Sequence, residues 1–320
     1  MTLASRNGSV EVSVLVPAKD EAENLPEFVR QCAVALEGEE YSCEVVIVND
    51  GSVDDTAEIL RQLASENAFV QVVSHRSQRG IADALRTAGD RARGKILVFY
   101  PADLQYAPNE IPGLVEPIRN DVADMVTARK EGNYEKAFVS RVYNWLCRFL
   151  FGVQVTDLNA AKAYRREIMD VLPARPDWHR FMAVIAAAEG FRLAERSVTL
   201  YPRRAGQSKF GLGRIPVGVL DLMSVWFQLR FGRKPMLFFG LSGGILFLVG
   251  FVVGVAALVL RFGYGYGFRP LLDLVMVLVI SGIALFGFGF VGEMLAGTRE
   301  EIRSLAASID RLTSEIDGRR

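Results

Sequence analysis

Glu44-Val45-Val46-Ile47-Val48 runs directly into Asn49-Asp50-Gly51-Ser52 and then into a helical stretch from Asp54 to Leu63. A short apolar run that stops at a turn of Asn, Asp, Gly and Ser reads as a strand buried on both faces. The acidic residues that follow it belong in the first turn of a helix, where Asp54 and Asp55 can cap. The same unit recurs on either side. Val10 to Val16 stops at Pro17 and precedes helical Glu21 to Leu36, and Val70 to Ser74 precedes helical Ile81 to Arg91. Lys95 to Tyr100 ends at Pro101-Ala102-Asp103, and Val122 to Ala128 reads as a fifth strand. This rhythm predicts an α/β fold with a mostly parallel sheet and helices on both faces.

The composition narrows the function classes. The 320 residues carry 37 Lys plus Arg and 37 Asp plus Glu, a formal charge of zero, so no nucleic-acid partner is expected. Cys32, Cys43 and Cys147 form no CxxC pair, which argues against a disulfide framework or a zinc cluster and for reduced thiols. With only His75 and His179 present, a histidine-rich metal site is excluded. Half of the residues are hydrophobic, high for a water-soluble enzyme.

That excess lies at the C-terminal end. Met236 to Leu260 has no charged side chain, and Leu271 to Leu295 has only Asp273 and Glu293. At 1.5 Å per residue each stretch reaches about 37 Å, enough to cross a bilayer core of about 30 Å. Gly240 with Gly244, and Gly250 with Gly254, have the spacing that lets membrane helices approach closely. Arg230, Arg233 and Lys234 precede the first stretch and Arg299 and Arg303 follow the second, against Arg261 and Arg269 between them. The positive-inside bias predicts a multi-pass protein of the cell (inner) membrane, with both outer ends cytoplasmic. No apolar segment precedes Val10, so the first 230 residues are expected on the cytoplasmic side as well.

Four regions follow: a cytosolic domain at 1–211, an amphipathic interfacial helix at 212–235, two transmembrane helices within 236–296, and a charged helix at 297–320. In the third region the spans are placed at about 236–260 and 271–295. In the last, Ile302, Leu305, Ile309, Leu312 and Ile316 have helical spacing. They suit either self-association as a dimer or tetramer, or packing of the tail back on the domain.

In open parallel sheets, ligands bind beyond the carboxyl ends of the strands. Polar clusters stand at those ends: Lys19-Asp20-Glu21, Asn49-Asp50 and Asp103-Leu104-Gln105. The turn after the first strand contains no glycine, so the GxGxxG dinucleotide cradle is missing and hydride transfer is disfavoured. Carboxylates at three strand ends suit a nucleoside diphosphate held through a divalent cation.

With these residues placed, the chain resembles family 2 glycosyltransferases of the Rossmann-like GT-A fold, and within them the polyprenyl-phosphate sugar transferases. Val16-Pro17-Ala18-Lys19-Asp20-Glu21-Ala22-Glu23-Asn24-Leu25 is similar to the family's VPxxNExxNL opening. Val48 to Thr56 is similar to VDDGSxDxT, and Asp103-Leu104-Gln105 with Pro108, Glu110 and Ile111 to a DxDLQ-PPE metal motif. Arg203-Arg204-Ala205-Gly206-Gln207-Ser208-Lys209 is similar to the RxxGxSK segment of the polyprenyl-phosphate branch.

The resemblance implies roles. Pro17, Ala18, Glu21 and Ala102 would shape the nucleoside pocket, with Glu21 accepting from ribose and Asp50 from a base N–H. Asp103 and Gln105 would hold Mg²⁺ or Mn²⁺. Arg129 and Arg141 would lie near sugar and phosphates, and Arg203, Ser208 and Lys209 would hold phosphate groups. Asp103, Arg141, Asp157 and Lys209 are the catalytic candidates. Asp157, in Thr156-Asp157-Leu158-Asn159, is open as base, sugar contact or loop anchor, and Lys162 stands near it in a loosely matching stretch.

One departure matters: Pro101 occupies the position of the first metal-motif Asp. Either Asp103, Gln105 and substrate phosphates complete a site, or metal affinity is reduced. The implied reaction is inverting transfer of a sugar from a UDP- or GDP-sugar donor to a polyprenyl phosphate at the membrane. The alternatives are a membrane-anchored nucleotide-sugar-binding or assembly protein that has lost catalysis, and a processive polysaccharide synthase. The latter lacks support, since no QxxRW motif occurs.

Overall fold

The computed structural model describes residues 9–131, 146–153, 157–158, 160–173, 175, 178–202 and 215–317, by backbone alone at 215, 216, 303, 306, 307 and 310–317. The chain divides into two compact units, Met1–Val217 and Gly218–Arg320.

In the first unit the strands are β1 (Val12–Ala18), β2 (Cys43–Asp50), β3 (Val70–His75), β4 (Ile96–Phe99), β5 (Met125–Glu131), β6 (Lys162–Arg165) and β7 (Leu193–Thr199). They form one sheet in the order β3-β2-β1-β4-β6-β5-β7. The helices are α1 (Leu25–Glu37), α2 (Thr56–Glu66), α3 (Ile81–Arg91), α4 (Ile111–Arg119), α5 (Glu167–Val171) and α6 (Met182–Ala188). β1 pairs parallel with β2 and β4, β2 with β3, and β5 with β7. β6 is antiparallel to both β4 and β5.

The five strands and their helices expected from sequence form, with ends shifted by a few residues. β6 and β7 were not legible. β6 has four residues and opens on Lys162, and β7 lies at the sheet edge with charged Glu195 and Arg196 at its centre. Neither offers the apolar run that marks a buried strand.

One sheet face, through Val12, Val14, Val16, Val45 and Ile47, packs with Phe28, Val29, Cys32, Leu36, Leu60, Leu114 and Ile118 from α1, α2 and α4. All of these residues are nearly or fully buried. α3 covers the other side of β1 and β2 through Ala84, Leu85 and Ala88. At the amino end of the sheet, Glu44 is wholly buried. It accepts from Ser13 Oγ (2.7 Å), Gln71 Nε2 (2.7 Å), Arg93 N (2.6 Å) and Arg93 Nε (2.8 Å). That carboxylate is a structural pin far along the strands from the motif-bearing loops. Cys32, Cys43 and Cys147 are buried and form no disulfide among the described residues.

The second unit contains most of α7 (Ile215–Phe231) and all of α8 (Pro235–Gly263) and α9 (Arg269–Asp317). Contrary to the single apolar side expected for α7, its exposed Leu220 and Met223 lie on a different side from buried Leu222 and Val225. The sequence there is apolar nearly all round, so the polar residues do not collect on one face. Residues 297–317 continue α9 without interruption rather than forming a separate tail helix.

α8 and α9 pack along one another. The closest approach is between Gly243 and Gly282, not at the glycine pairs that spacing singles out. A Cβ on Gly243 would lie 2.6 Å from Gly282 O and 2.8 Å from Phe286 N, and one on Gly282 would lie 2.7 Å from Phe247 N. Gly250 and Gly254 face Val279 and Val275, whereas Gly244 meets nothing. Glu293 accepts from Met236 N (3.2 Å), placing a carboxylate at the positive N-terminus of α8.

The most apolar 18-residue stretches of α8 and of Arg269–Ile302 in α9 have mean hydropathies of 2.7 and 2.6, and only 17% and 11% of those stretches are buried. By length and composition both can cross a membrane. Exposed Phe251, Val252, Ile280 and Ile283 separate them from the core helices of a soluble protein. Replacing Gly282 by Leu is expected to force α8 and α9 apart at a cost of about 1–3 kcal/mol, the usual penalty of overpacking. Thermal unfolding of the detergent-solubilised protein measures it, with Gly244→Ala as the neutral control.

Candidate active site

Parallel pairing sets the carboxyl ends of β2, β1 and β4 side by side. Ala18 is opposite Asn49, Leu15 opposite Phe99, and Asp50 opposite His75. The loops leaving these strands carry Glu21 after β1, Asp50 at the end of β2, and Asp103 after β4. The three acidic candidates thus come to one edge of the sheet from three neighbouring strands.

The first two loops are knitted together. Lys19 Nζ donates to Gly51 O (3.0 Å), Asp20 N to Ser52 Oγ (2.9 Å), Val53 N to Asp20 Oδ1 (2.9 Å) and Glu21 N to Thr56 Oγ1 (3.0 Å). Asp54 bridges the same loops, accepting from Thr56 N (3.1 Å) and Ala22 N (3.3 Å). Its role is therefore wider than the helix cap expected of it, and Asp55, before α2, makes no side-chain cap bond. Glu21 Oε2 accepts from Asn24 Nδ2 at 2.8 Å, which orients the carboxylate. Ala18 and Ala102 are buried and Pro17 is partly exposed, so small side chains line this edge.

Asp50 is buried and committed. Oδ1 lies 2.8 Å from His75 Nδ1 and accepts from Arg79 N at 2.8 Å, while Oδ2 accepts from Gly80 N at 2.8 Å. His75 Nε2 in turn lies 2.9 Å from Thr87 Oγ1, so this histidine is a satisfied interior one. Gly51 is obligatory beside them. Its φ is +65°, and a Cβ there would sit 2.6 Å from Gln78 N. Asp50 thus organises the 76–80 loop as well as standing at the site, a role that needed His75 and the loop backbone to be seen.

The loop after β4 is equally fixed. Tyr100 Oη donates to Ala107 O (2.8 Å), and Tyr201 N donates to Gln105 O (2.9 Å). Leu104 takes a left-handed backbone, φ +56°, between Asp103 and Gln105, and Gln105 N donates to Asp103 Oδ1 at 3.2 Å. A leucine in that conformation is uncommon and is held there by its surroundings. Asp20, φ +52°, is a second such residue at the same edge.

Arg129, toward the carboxyl end of β5, donates to Ser197 Oγ (2.6 Å) and pairs with Glu131 (3.4 Å), so its partners lie on β5 and β7. Asp157 is buried, with Oδ2 3.0 Å from Lys130 Nζ. Lys162 is wholly buried beside it, donating to Leu158 O (2.9 Å) and His179 O (3.3 Å). Burial pushes its ammonium down to about 8, with Asp157 opposing and Lys130 reinforcing the shift. Burial also pushes the His179 imidazole down to about 3, and its Nδ1 finds no hydrogen-bond partner among the described residues. Lys130 escaped the sequence reading. The signal available for Lys162 was a lone lysine within Ala160-Ala161-Lys162-Ala163-Tyr164. Arg141, Arg203, Ser208 and Lys209 lie outside the described residues.

Residues 13–169 match the family described as glycosyl transferase family 2. An undecaprenyl-phosphate 4-deoxy-4-formamido-L-arabinose transferase of Pseudomonas aeruginosa is 31% identical over 301 residues, covering 92% of this chain and 87% of that protein. The chain belongs to glycosyltransferase family 2. A dodecaprenyl-phosphate galacturonate synthase of Rhizobium johnstonii is 28% identical over 302 residues, covering 91% of this chain and 89% of the relative. Among solved structures, glucosyl-3-phosphoglycerate synthase of Mycobacterium tuberculosis, with Mn²⁺, UDP and phosphoglyceric acid, matches with a TM-score of 0.55. It is 20% identical and covers 70% of this chain and 80% of that one, a likeness of fold. In this family 2 glycosyltransferase the mostly parallel sheet is therefore the GT-A-like scaffold.

Asp50→Asn would turn an amide N–H toward the Arg79 and Gly80 donors. Leaving a buried donor unpaired costs about 1–3 kcal/mol, so chemical denaturation should read a loss of about 2 kcal/mol. UDP and GDP binding, followed by calorimetry, should weaken with it.

Proposed function

We propose that the protein transfers the sugar of a nucleoside-diphosphate sugar, UDP- or GDP-linked, to a polyprenyl phosphate at a membrane surface, with inversion at the sugar carbon. One observation carries this reading: relatives whose names specify sugar transfer to a dodecaprenyl or undecaprenyl phosphate match about nine-tenths of the chain, as their 91% and 92% coverage records. The aligned length therefore extends into the two apolar helices, beyond the catalytic fold.

The acceptor is a phosphate whose oxygen is anionic at neutral pH, so the chain need not supply a strong base. That oxygen forms the new bond to the sugar carbon, the bond to the donor diphosphate breaks, and the nucleoside diphosphate leaves. What remains for the protein is to bring two anions together and orient them. Glu21, oriented by Asn24, faces the nucleoside at the β1 loop, with Pro17, Ala18 and Ala102 forming its walls. Asp50 presents the 76–80 loop and stands at the base-binding edge. Arg129 and Arg141 are assigned to sugar and phosphates, and Arg203, Ser208 and Lys209 to the phosphate groups. Asp157, ion-paired with Lys130, is assigned to the acceptor side.

The donor set at the β4 loop is one carboxylate, Asp103, and one amide oxygen, Gln105. Among the described residues no three His, Cys, Asp or Glu side chains are grouped to hold a metal. This hard-oxygen pair fits Mg²⁺ or Mn²⁺, ions that take remaining ligands from phosphates and water. A bound cation would neutralise charge on the departing diphosphate. The structural neighbours were crystallised with Mn²⁺ or Mg²⁺ and UDP. Pro101 supplies no ligand, which favours a site completed by substrate. It also motivates the second reading, a binding protein without turnover.

The membrane gives the arrangement its purpose: a long-chain lipid presents its phosphate only at the bilayer surface. We place the catalytic unit on the cytoplasmic side of the cell membrane, the side on which the positive-inside bias puts both outer ends of the two-span hairpin. Self-association as a dimer or tetramer is part of this proposal.

The test is transfer of radiolabel from UDP- and GDP-sugars into solvent-extractable lipid, with undecaprenyl phosphate and Mn²⁺ or Mg²⁺. Transfer is expected with at least one donor. Asp103→Ala should reduce it by about 10²-fold or more, the scale of losing several kcal/mol of charge stabilisation. Pro101→Asp should tighten the metal dependence. No label with any donor, together with nucleotide-sugar binding indifferent to Mn²⁺, would establish the binding-protein reading instead.

A further inference from the structure

We propose that Lys162 is a positioning residue, which holds Asp157 and the Trp178–Phe181 turn in place on the acceptor side of the site. The inference rests on the transfer reading above and adds to it a residue whose role the family motifs do not define.

The placement follows from topology. β6 runs antiparallel to both of its neighbours, so Lys162, its first residue, stands opposite Phe99 at the carboxyl end of β4 and opposite Thr127 on β5. Phe99 is four residues before Asp103. The antiparallel strand therefore brings a lysine to the sheet edge where the parallel strands deliver their acidic loops. Its side chain is wholly buried, and the ammonium lies 5.8 Å from the Phe99 ring centroid.

Its two hydrogen bonds join separate segments. One goes to Leu158 O, the residue after Asp157, and the other to His179 O in the 3₁₀ turn Trp178–Phe181. The Asp157 carboxylate itself pairs with Lys130 of β5 at 3.0 Å. The carboxylate thus pairs with a lysine of β5, while its backbone neighbour Leu158 is tied down by a lysine of β6. Among the described residues His179 and Arg180 also stand at this cluster, and burial, with Lys162 and Arg180 adding to it, pushes the His179 imidazole down.

Stability alone does not account for such a residue. Removing an ammonium from water costs several kcal/mol, and two carbonyl acceptors and a ring face return only part of it. An apolar side chain of similar length would avoid that penalty but would leave Leu158 O and His179 O without this donor, releasing the two segments that Lys162 joins. A buried ammonium that ties down the backbone next to a second buried charge, Asp157, can fix where that carboxylate stands.

The experiment compares Lys162→Met, Lys162→Gln, Asp157→Asn and the double variant Asp157→Asn/Lys162→Met, all in the full-length detergent-solubilised protein. Donor-side integrity is read by calorimetry with UDP and with GDP, each with Mn²⁺. Turnover is read with undecaprenyl phosphate and the donor that the wild type uses. Nucleotide affinity should stay within about twofold while kcat falls at least about tenfold in both Lys162 variants. The double variant should be no slower than Asp157→Asn alone, because residues acting as a unit are not additive.

Unchanged kcat in Lys162→Met overturns the inference, as do losses that multiply in the double variant. Loss of nucleotide binding in step with turnover, or failure of both Lys162 variants to fold, assigns Lys162 a purely structural role and also overturns it. A wild type that transfers no sugar overturns the transfer reading and this inference with it. An active wild type with an unaffected Lys162→Met overturns this inference alone.

Discussion

Everything at the functional edge depends on the parallel pairing of β1 with β2 on one side and β4 on the other. Parallel strands all point the same way, so loops distant in sequence emerge together. Ala18 beside Asn49, and Leu15 beside Phe99, bring the Glu21, Asp50 and Asp103 loops to one edge. A one-residue slip in either pairing would turn every side chain of the slipped strand to the opposite face and bury the wrong set. The buried Ser13–Glu44 hydrogen bond across the pair, at 2.7 Å, and the packing of both buried faces oppose that slip, so the core fixes the position of the loops.

Hydrogen bonds then make those loops rigid. Asp50 spends its carboxylate on one ring nitrogen and two backbone amides, and Asp54 spends its own on two backbone amides from two segments. The left-handed residues Asp20 and Leu104, and glycine at Gly51, sit within the same edge. Strain of this kind persists only where the surroundings over-determine it, and its concentration here marks a preorganised surface. Charge at the opposite end is of another kind: Glu44 is buried among Ser13, Gln71 and Arg93 and faces no site-bearing loop. Burial of a carboxylate is thus no guide to function until its end of the sheet is known.

The second unit obeys a different solvent rule. Its helices expose the large apolar side chains that the first unit hides, and they meet through Gly243 and Gly282, where the missing side chains let two backbones touch. Without a hydrophobic driving force between helices in lipid, such close contact is what association relies on. Glu293, on α9, is placed on the amide of Met236 at the start of α8.

The sequence by itself determined the parallel half of the sheet, the acidic loops and the two apolar helices. Each of these is encoded locally: an apolar run for a strand buried on both faces, a turn motif for its end, an uncharged stretch long enough for a bilayer. Tertiary structure alone decided the antiparallel insertion of β6, since Lys162-Ala163-Tyr164-Arg165 has no strand periodicity of its own and gains its place by pairing with β4 and β5. It alone decided that Asp50 anchors the 76–80 loop and that Gly243, not Gly244, meets the facing helix. Contacts between residues far apart in the chain depend on register and helix rotation, and those are fixed only when the faces pack.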